Sequence, residues 1–282
     1  MSTPGIIESV AALRQATRQW RAAGESIALV PTMGALHAGH ISLTQIVRAK
    51  ARRVIVSIFV NPTQFAPTED FSKYPRTFEA DREKLAAAGV DAIYAPQPAE
   101  IYPPGFATTI SLAGPASAGL EDRFRPTHFA GVATVVAKLH IQAMPDIAIY
   151  GEKDFQQLAV IRQMTRDLDL PIEVLGGPTI READGLALSS RNVYLDAAQR
   201  KIAPILNVTM RDAAQRIRGG SDVAAIMTNA RATITAAGFS LDYLELRGAI
   251  TLGAPDVASG KPLRMLVAAK IGMTRLIDNI AV

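Results

Sequence analysis

An α/β fold, a parallel sheet with helices on both faces followed by a smaller C-terminal α+β domain, is what this 282-residue sequence predicts. Three observations carry the prediction. Short runs rich in Val and Ile alternate with longer segments of helical period, which is the pattern of strand–helix–strand units. Glycine-bearing polar motifs stand directly after several of those runs, where parallel sheets bind their ligands. Near Gly176 the texture changes to Gly-Gly-Pro punctuation and a long polar loop.

The apolar runs place strands at 27–31, 54–60, 92–95, 108–112, 147–150 and 172–175, and the periodicity places helices at about 7–22, 41–51, 76–88, 132–142 and 155–167. Together they make a Rossmann-like domain over residues 1–177. Residues 178–282 form the second domain, read as a lid, with helices near 196–218 and 222–237 and strands at 241–246 and 263–269.

Composition narrows the function classes. Nearly half the residues (49%) are apolar, enough for a sizeable core. Cysteine is absent, which removes disulfides, thiol catalysis and zinc–thiolate sites, and points to a reducing compartment. The formal charge of +4 is spread without Lys/Arg runs, so nucleic acid is not an expected partner. No apolar run approaches the ~20 residues of a membrane span. The stretch from Met1 to Ala12 lacks a secretory pattern, and the cytoplasm is the expected location.

The chemistry concentrates at strand ends. The first predicted strand runs into Pro31-Thr32-Met33-Gly34-Ala35-Leu36-His37-Ala38-Gly39-His40, with the helix directly after. Gly34 and Gly39 permit tight turns, and amides exposed at a helix start attract anions. His37 and His40, three residues apart, can donate to phosphate oxygens and stabilise a phosphorus-centred transition state. The bland alternative makes both of them capping or surface histidines. Zinc is a weaker reading, because no third ligand stands nearby.

After the next strand come Asn61 and Gln64, neutral hydrogen-bonders suited to a carboxylate or hydroxyl and otherwise ordinary loop residues. The segment from Arg125 through Thr127 and His128 opens a helix on which Val132, Val135 and Val136 are expected as core or pocket wall. Gly151-Glu152-Lys153-Asp154 then repeats the glycine-and-helix logic, with Lys153 placed to neutralise phosphate charge and Gln157 one turn into the helix. A solvated Lys153–Asp154 pair is the alternative. Last, Ile180 opens a polar loop whose Leu188-Ser189-Ser190-Arg191-Asn192 stretch can close over a triphosphate.

In this order the motifs closely resemble those of the pantoate–β-alanine ligases, a family within the His-x-x-His nucleotidyl-transferase superfamily that includes class I aminoacyl-tRNA synthetases. With Thr274-Arg275-Leu276-Ile277-Asp278-Asn279 the likeness covers nearly the whole chain. The resemblance implies two steps in one site: pantoate carboxylate attacks the α-phosphorus of Mg-ATP, then the β-alanine amine attacks the acyl carbon of pantoyl adenylate. It implies ATP contacts from Met33, Gly34, Ala35, Leu36, His37, Ala38, Gly39, His40, Gly151, Glu152, Lys153, Asp154, Ile180, Leu188, Ser189, Ser190 and Arg191. Catalysis would fall to His37, His40, Lys153, Ser189, Ser190 and Arg191, with His37 the main catalyst and His40 the nucleotide positioner. Pantoate would lie on Gln64 and Gln157, with Asn61 beside them and Gln64 also near β-alanine. Mg2+ would travel with ATP without a dedicated protein ligand, and a homodimer is the family habit. Leu188 stands where Met is usual, Thr127 where Gly is common, and Ala130 where a charge is frequent. The rivals are another adenylyl transferase acting on a phosphate-bearing substrate, a nucleotide-binding module without turnover, and a synthetase fragment that docks RNA.

Overall fold

The computed structural model describes residues 3–65, 71–72 and 74–282. Within them the first sheet comprises β1 (Gly5–Ile7), β2 (Ile27–Thr32), β3 (Arg53–Ile58), β4 (Ala92–Tyr94), β5 (Ile147–Gly151) and β6 (Glu173–Gly177). All pair in parallel, in the spatial order β1-β4-β3-β2-β5-β6. The connecting helices are α1 (Val10–Ala22), α2 (Ala38–Arg48), α3 (Phe78–Ala87), α4 (Pro98–Ile101), α5 (Glu121–Phe124), α6 (His128–Ala143) and α7 (Phe155–Asp167).

Strand alternation splits the core into two layers. Ile27, Leu29 and Ile55 face α1, α6 and α7 through Leu13, Val132, Leu158 and Ile161. Ala28, Val30, Val54 and Val56 face α2 and α3 through Leu43, Val47 and Leu85. Burial on both faces is why these strands read as continuous apolar runs.

The register locates the crevice. β2 pairs with β3 along its whole length, from Ile27 to Thr32, and β5 with β6 from Ile147 to Gly151. Yet β2 and β5 pair only at Ala28–Ile147 and Leu29–Ala148. Beyond that point the two strands part, at the place where strand order reverses and a parallel sheet opens for a ligand.

The C-terminal part carries α8 (Ala197–Ile202) and packs α9 (Ile205–Arg218) and α10 (Val223–Ala236) on an antiparallel sheet of β7 (Ser240–Gly248), β8 (Leu263–Ile271) and β9 (Thr274–Ala281). Its other face meets the first unit through Leu120, Phe155, Tyr243, Leu266 and Ala268.

Three expectations are corrected. Residues 108–112 form no strand: the sheet edge beside β4 is taken by β1, which the sequence pattern assigns partly to a helix. The segment instead runs extended over the core, with Ile110 and Leu112 packed inward and the Ile110 amide donating to Thr134 Oγ1 at 2.9 Å. The helix expected over 196–218 is broken before α9 by Pro204, which lacks an N–H and clashes with the preceding turn. β9, unread as a strand, completes the second sheet.

Candidate active site

The turn after β2 is backbone held under strain. Gly34 and Ala35 take left-handed φ values of 82° and 51°, the second costly for a residue with a Cβ. The compensation is Asp81 of α3, fully buried, whose carboxylate accepts the amides of Ala35 and Leu36, both at 2.8 Å, and the Thr77 hydroxyl. Lys84 Nζ caps the Leu36 carbonyl at 2.7 Å. Sequence reasoning missed Asp81, because it sits in a charged surface helix 45 residues from its partner Leu36 and no local pattern marks it.

This turn delivers His37 as the N-cap of α2 in a reciprocal capping box. His37 Nδ1 accepts the Gly39 amide at 3.1 Å, and His40 Nδ1 accepts the His37 amide at 3.3 Å. The bland reading of these histidines as caps is thus part of the geometry, and it defines their chemistry. With each Nδ1 accepting, the proton of each neutral ring lies on Nε2, and the two rings lie with centroids 4.1 Å apart, tilted by 40°. Gly39 is required here: a Cβ would stand 2.9 Å from the His37 ring. The amides of His37 and Gly39, expected as anion donors, are spent on the rings.

Burial, then the Lys153 ammonium, pulls His37 down to about 4; burial, then His37 and Lys153, pulls His40 down to about 3. Both are therefore neutral near pH 7. The site therefore offers N–H donors and the lysine rather than imidazolium charge.

At the end of β3, Asn61 is 1% exposed. Its amide donates to Gln64 Oε1 at 3.0 Å and to the Gly131 carbonyl at 3.3 Å, and its oxygen accepts Tyr102 Oη at 2.7 Å and the Thr63 hydroxyl at 3.0 Å. Asn61 so orients Gln64, whose Nε2 reaches Met33 Sδ at 3.2 Å. The first turn of α6 presses against this segment: a Cβ on Gly131 would lie 2.4 Å from the Thr63 carbonyl oxygen and 2.9 Å from Gln64 Cα. His128 Nδ1 meets the Gln64 carbonyl at 3.0 Å.

At the end of β5, Lys153 lies 3.8 Å from Asp154, so the pair named as the alternative forms, but the Lys153 side chain is only 18% exposed and lines the crevice. Beyond β6, the Leu188 amide returns to the Ile180 carbonyl at 3.0 Å, and Ser189 caps the short helical turn that carries Ser190 and Arg191.

One cavity of about 220 Å³ gathers these groups. Met33, His37, Gly39, His40, Gly151, Lys153, Asp154, Ile180, Leu188, Ser189, Ser190 and Arg191 line it, together with Asn61, Gln64 and Gln157. Val132, Val135 and Val136 form its apolar wall, as expected, and Phe59, Leu139 and Tyr150 extend that wall. Five residues of the expected ATP set do not line it. Gly34, Ala35 and Leu36 lie in the supporting turn, Ala38 is exposed on the helix start, and Glu152 turns its carboxylate to Arg264 at 3.1 Å.

Neutral donors and fixed cations beyond the carboxyl ends of a parallel sheet are equipment for nucleotide phosphates, and they define an ATP-using α/β enzyme. Comparison with known proteins carries this further. The Pantoate-beta-alanine ligase family model matches residues 5–281, and the chain belongs to that family. It is 58% identical over 280 residues to a pantothenate synthetase of Bradyrhizobium sp. (strain BTAi1 / ATCC BAA-1182), covering 99% of both chains. The pantothenate synthetase of Thermus thermophilus has the same fold, with a TM-score of 0.92 at 44% identity over 98% of each chain. The pantoate-beta-alanine ligase of Francisella tularensis, complexed with beta-gamma ATP and beta-alanine, superposes with a TM-score of 0.82 at 33% identity, over 98% of this chain and 97% of that one. The activity is ATP-dependent ligation of pantoate and β-alanine to pantothenate.

Proposed function

We propose that the ligation runs through pantoyl adenylate in the 220 Å³ cavity, and that the residues gathered there divide the work. In the first step a pantoate carboxylate oxygen bonds to the α-phosphorus of ATP as the bond to pyrophosphate breaks. In the second, the β-alanine amine bonds to the acyl carbon, the C–O bond to AMP breaks, and the amine's surplus proton passes to solvent. The supporting observation is that the two Nε2–H donors, Lys153 and the Ser189–Arg191 turn line one cavity with Gln64 and Gln157. Phosphate donors and uncharged acid-binding amides thus share one space, as attack of an acid on phosphorus requires.

His37 Nε2–H stabilises charge growing on the α-phosphate, and His40 positions the nucleotide. Lys153 and Arg191 follow the charge onto the leaving pyrophosphate, with the Ser189 and Ser190 hydroxyls beside them. Gln64 and Gln157 bind pantoate, Gln64 also meets β-alanine, and Asn61 acts by orienting Gln64. The valine wall keeps water from the acyl adenylate.

Mg2+ fits as a companion of ATP. Among the described residues no group of three or more His, Cys, Asp or Glu side chains is arranged for a metal, whereas Asp154 offers one half-exposed carboxylate at the cavity. Phosphate and water oxygens would complete its shell, and the ion would supply charge neutralisation on the leaving pyrophosphate. Residues 178–282 serve as a lid that brings the Ser-Ser-Arg turn over the nucleotide, the enzyme is a homodimer, and it works in the cytoplasm. Among the described residues no helix is long and apolar enough to cross a membrane.

ATP–pyrophosphate exchange tests the reading. Pantoate alone should support exchange, and β-alanine should be needed only for AMP release as pantothenate forms. Exchange supported by phosphopantetheine or a nucleotide but not by pantoate would contradict it.

A further inference from the structure

Two neighbouring residues near the end of the chain reach both loops that carry the cationic groups of the site. Successive side chains of a strand point to opposite faces. On β9 this sends Asp278 toward α9 and Asn279 toward the parallel-sheet unit, in register with Val267 and Leu266 of β8. Asn279 is 2% exposed. Its Nδ2 donates to the carbonyls of Glu152 at 2.9 Å and Lys153 at 2.8 Å, using both of its protons. Its Oδ1 accepts Arg264 Nε at 2.6 Å, and Arg264 in turn pairs with Glu152 and lies over the Phe155 ring at 4.2 Å. Asp278 holds Arg181 in a bidentate pair at 2.7 and 2.8 Å and accepts Asn207 Nδ2 at 3.3 Å. Arg181 follows Ile180 at the root of the Ser-Ser-Arg loop, where its backbone bridges to Ala187.

We propose that Asn279 is a positioning residue for the adenylation step, fixing the backbone that aims Lys153 into the cavity, while Asp278 fixes the root of the Ser189–Arg191 loop from the same strand. The two carbonyls it holds belong to a three-residue turn between β5 and α7, too short to be set by its own ladder. A side chain with two donors can hold both of them. The inference rests on the reading that Lys153 serves the transfer of the adenylyl group.

The experiment compares four variants in pantoate-dependent ATP–pyrophosphate exchange, thermal melting and NMR titration of the His37 ring. Asn279→Ala removes the donors. Asn279→Asp is isosteric, keeps the acceptor for Arg264 and guards against a folding failure. Leu276→Ala is a packing control on the same strand, 5% exposed and directed at the helices. Lys153→Ala tests the underlying reading. Misplacing a reacting group by an ångström costs on the order of a hundredfold. Both Asn279 variants should therefore lower exchange kcat by about tenfold or more, with pantoate KM within about twofold.

The same two variants should let the His37 titration rise from about 4, since Lys153 is the largest charge contribution holding it down; Lys84 lowers it by less, and Asp154 raises it by less than Lys153 lowers it. Leu276→Ala should lower the melting temperature and change neither readout. Exchange and His37 titration in the Asn279 variants matching Leu276→Ala would overturn the proposal. An active Lys153→Ala enzyme would overturn the reading beneath it. An inactive Lys153→Ala enzyme beside unimpaired Asn279 variants would overturn the anchor alone.

Discussion

At the scale of single residues, the capping box turns two histidines into neutral donors, and this has consequences for rate and for pH. His37→Ala should lower exchange about a hundredfold, on the order of 3 kcal/mol of transition-state stabilisation, with the fold kept but α2 weakened by about 1 kcal/mol for the lost cap. Exchange near the wild-type rate would make His37 a cap only. The pH effect has a definite sign. Both rings take up protons more readily in the unfolded chain, near 6.5, than in the folded one, at about 4 and about 3. Their contribution to stability is complete above pH 6.5 and is lost as pH falls through the range from 6.5 toward 3. His40→Gln keeps an acceptor for the His37 amide, Gln being a familiar partner at this capping position, and no longer titrates. Its melting temperature should fall less than that of the wild type between about pH 6.5 and 4. An unchanged slope would place the acid sensitivity elsewhere.

At the scale of elements, the proposed acid-binding side depends on how closely α6 approaches the turn after β3. Gly131→Ala would drive a methyl into the Thr63 carbonyl, and the clash is with backbone, so the turn bearing Gln64 must move. Pantoate KM should rise about tenfold or more with ATP binding little changed, since displacement of a binding group by about 1 Å has effects of that order; an unchanged KM would detach Gln64 from the acid pocket. Elements were legible where a regular pattern met a full-length element. β2, β3, β5 and α7 are continuous apolar runs or clean helical periods, and the site motifs follow them because glycines mark the turns. β1 was hidden by its three residues, too few for a period to show. Residues 108–112 have strand composition, but their partner edge was already occupied. Asp81 and Asn279 act across gaps of 45 and 126 residues, and such contacts leave no local trace.

At the scale of the whole molecule, a buried ionic cluster joins the two sheet units. Glu121 of α5 receives both terminal nitrogens of Arg275 from β9, at 2.7 and 2.8 Å, and Tyr243 Oη from β7 at 2.8 Å. Burial alone would raise the Glu121 pKa, but Arg275 and Tyr243 overturn that and hold it below the usual carboxylate range. Removing Glu121 leaves Arg275 with Asp242 alone, 2.7 Å from its Nε, and takes from the Tyr243 hydroxyl the carboxylate it donates to. Glu121→Ala should therefore cost about 3 kcal/mol in urea or thermal unfolding, and a loss within error would show the units docked by apolar contact alone. With the units joined in this way, β9 contacts both cationic loops beside a crevice that the sheet itself opens, where the proposed reaction has the acid meet the α-phosphorus. Oxygen transfer tests that meeting most directly. With pantoate labelled by 18O in its carboxylate, attack on the α-phosphorus followed by aminolysis leaves one label on AMP. Mass spectrometry of the products should find AMP carrying a single 18O and pyrophosphate carrying none; label in phosphate or pyrophosphate, with unlabelled AMP, would contradict the account.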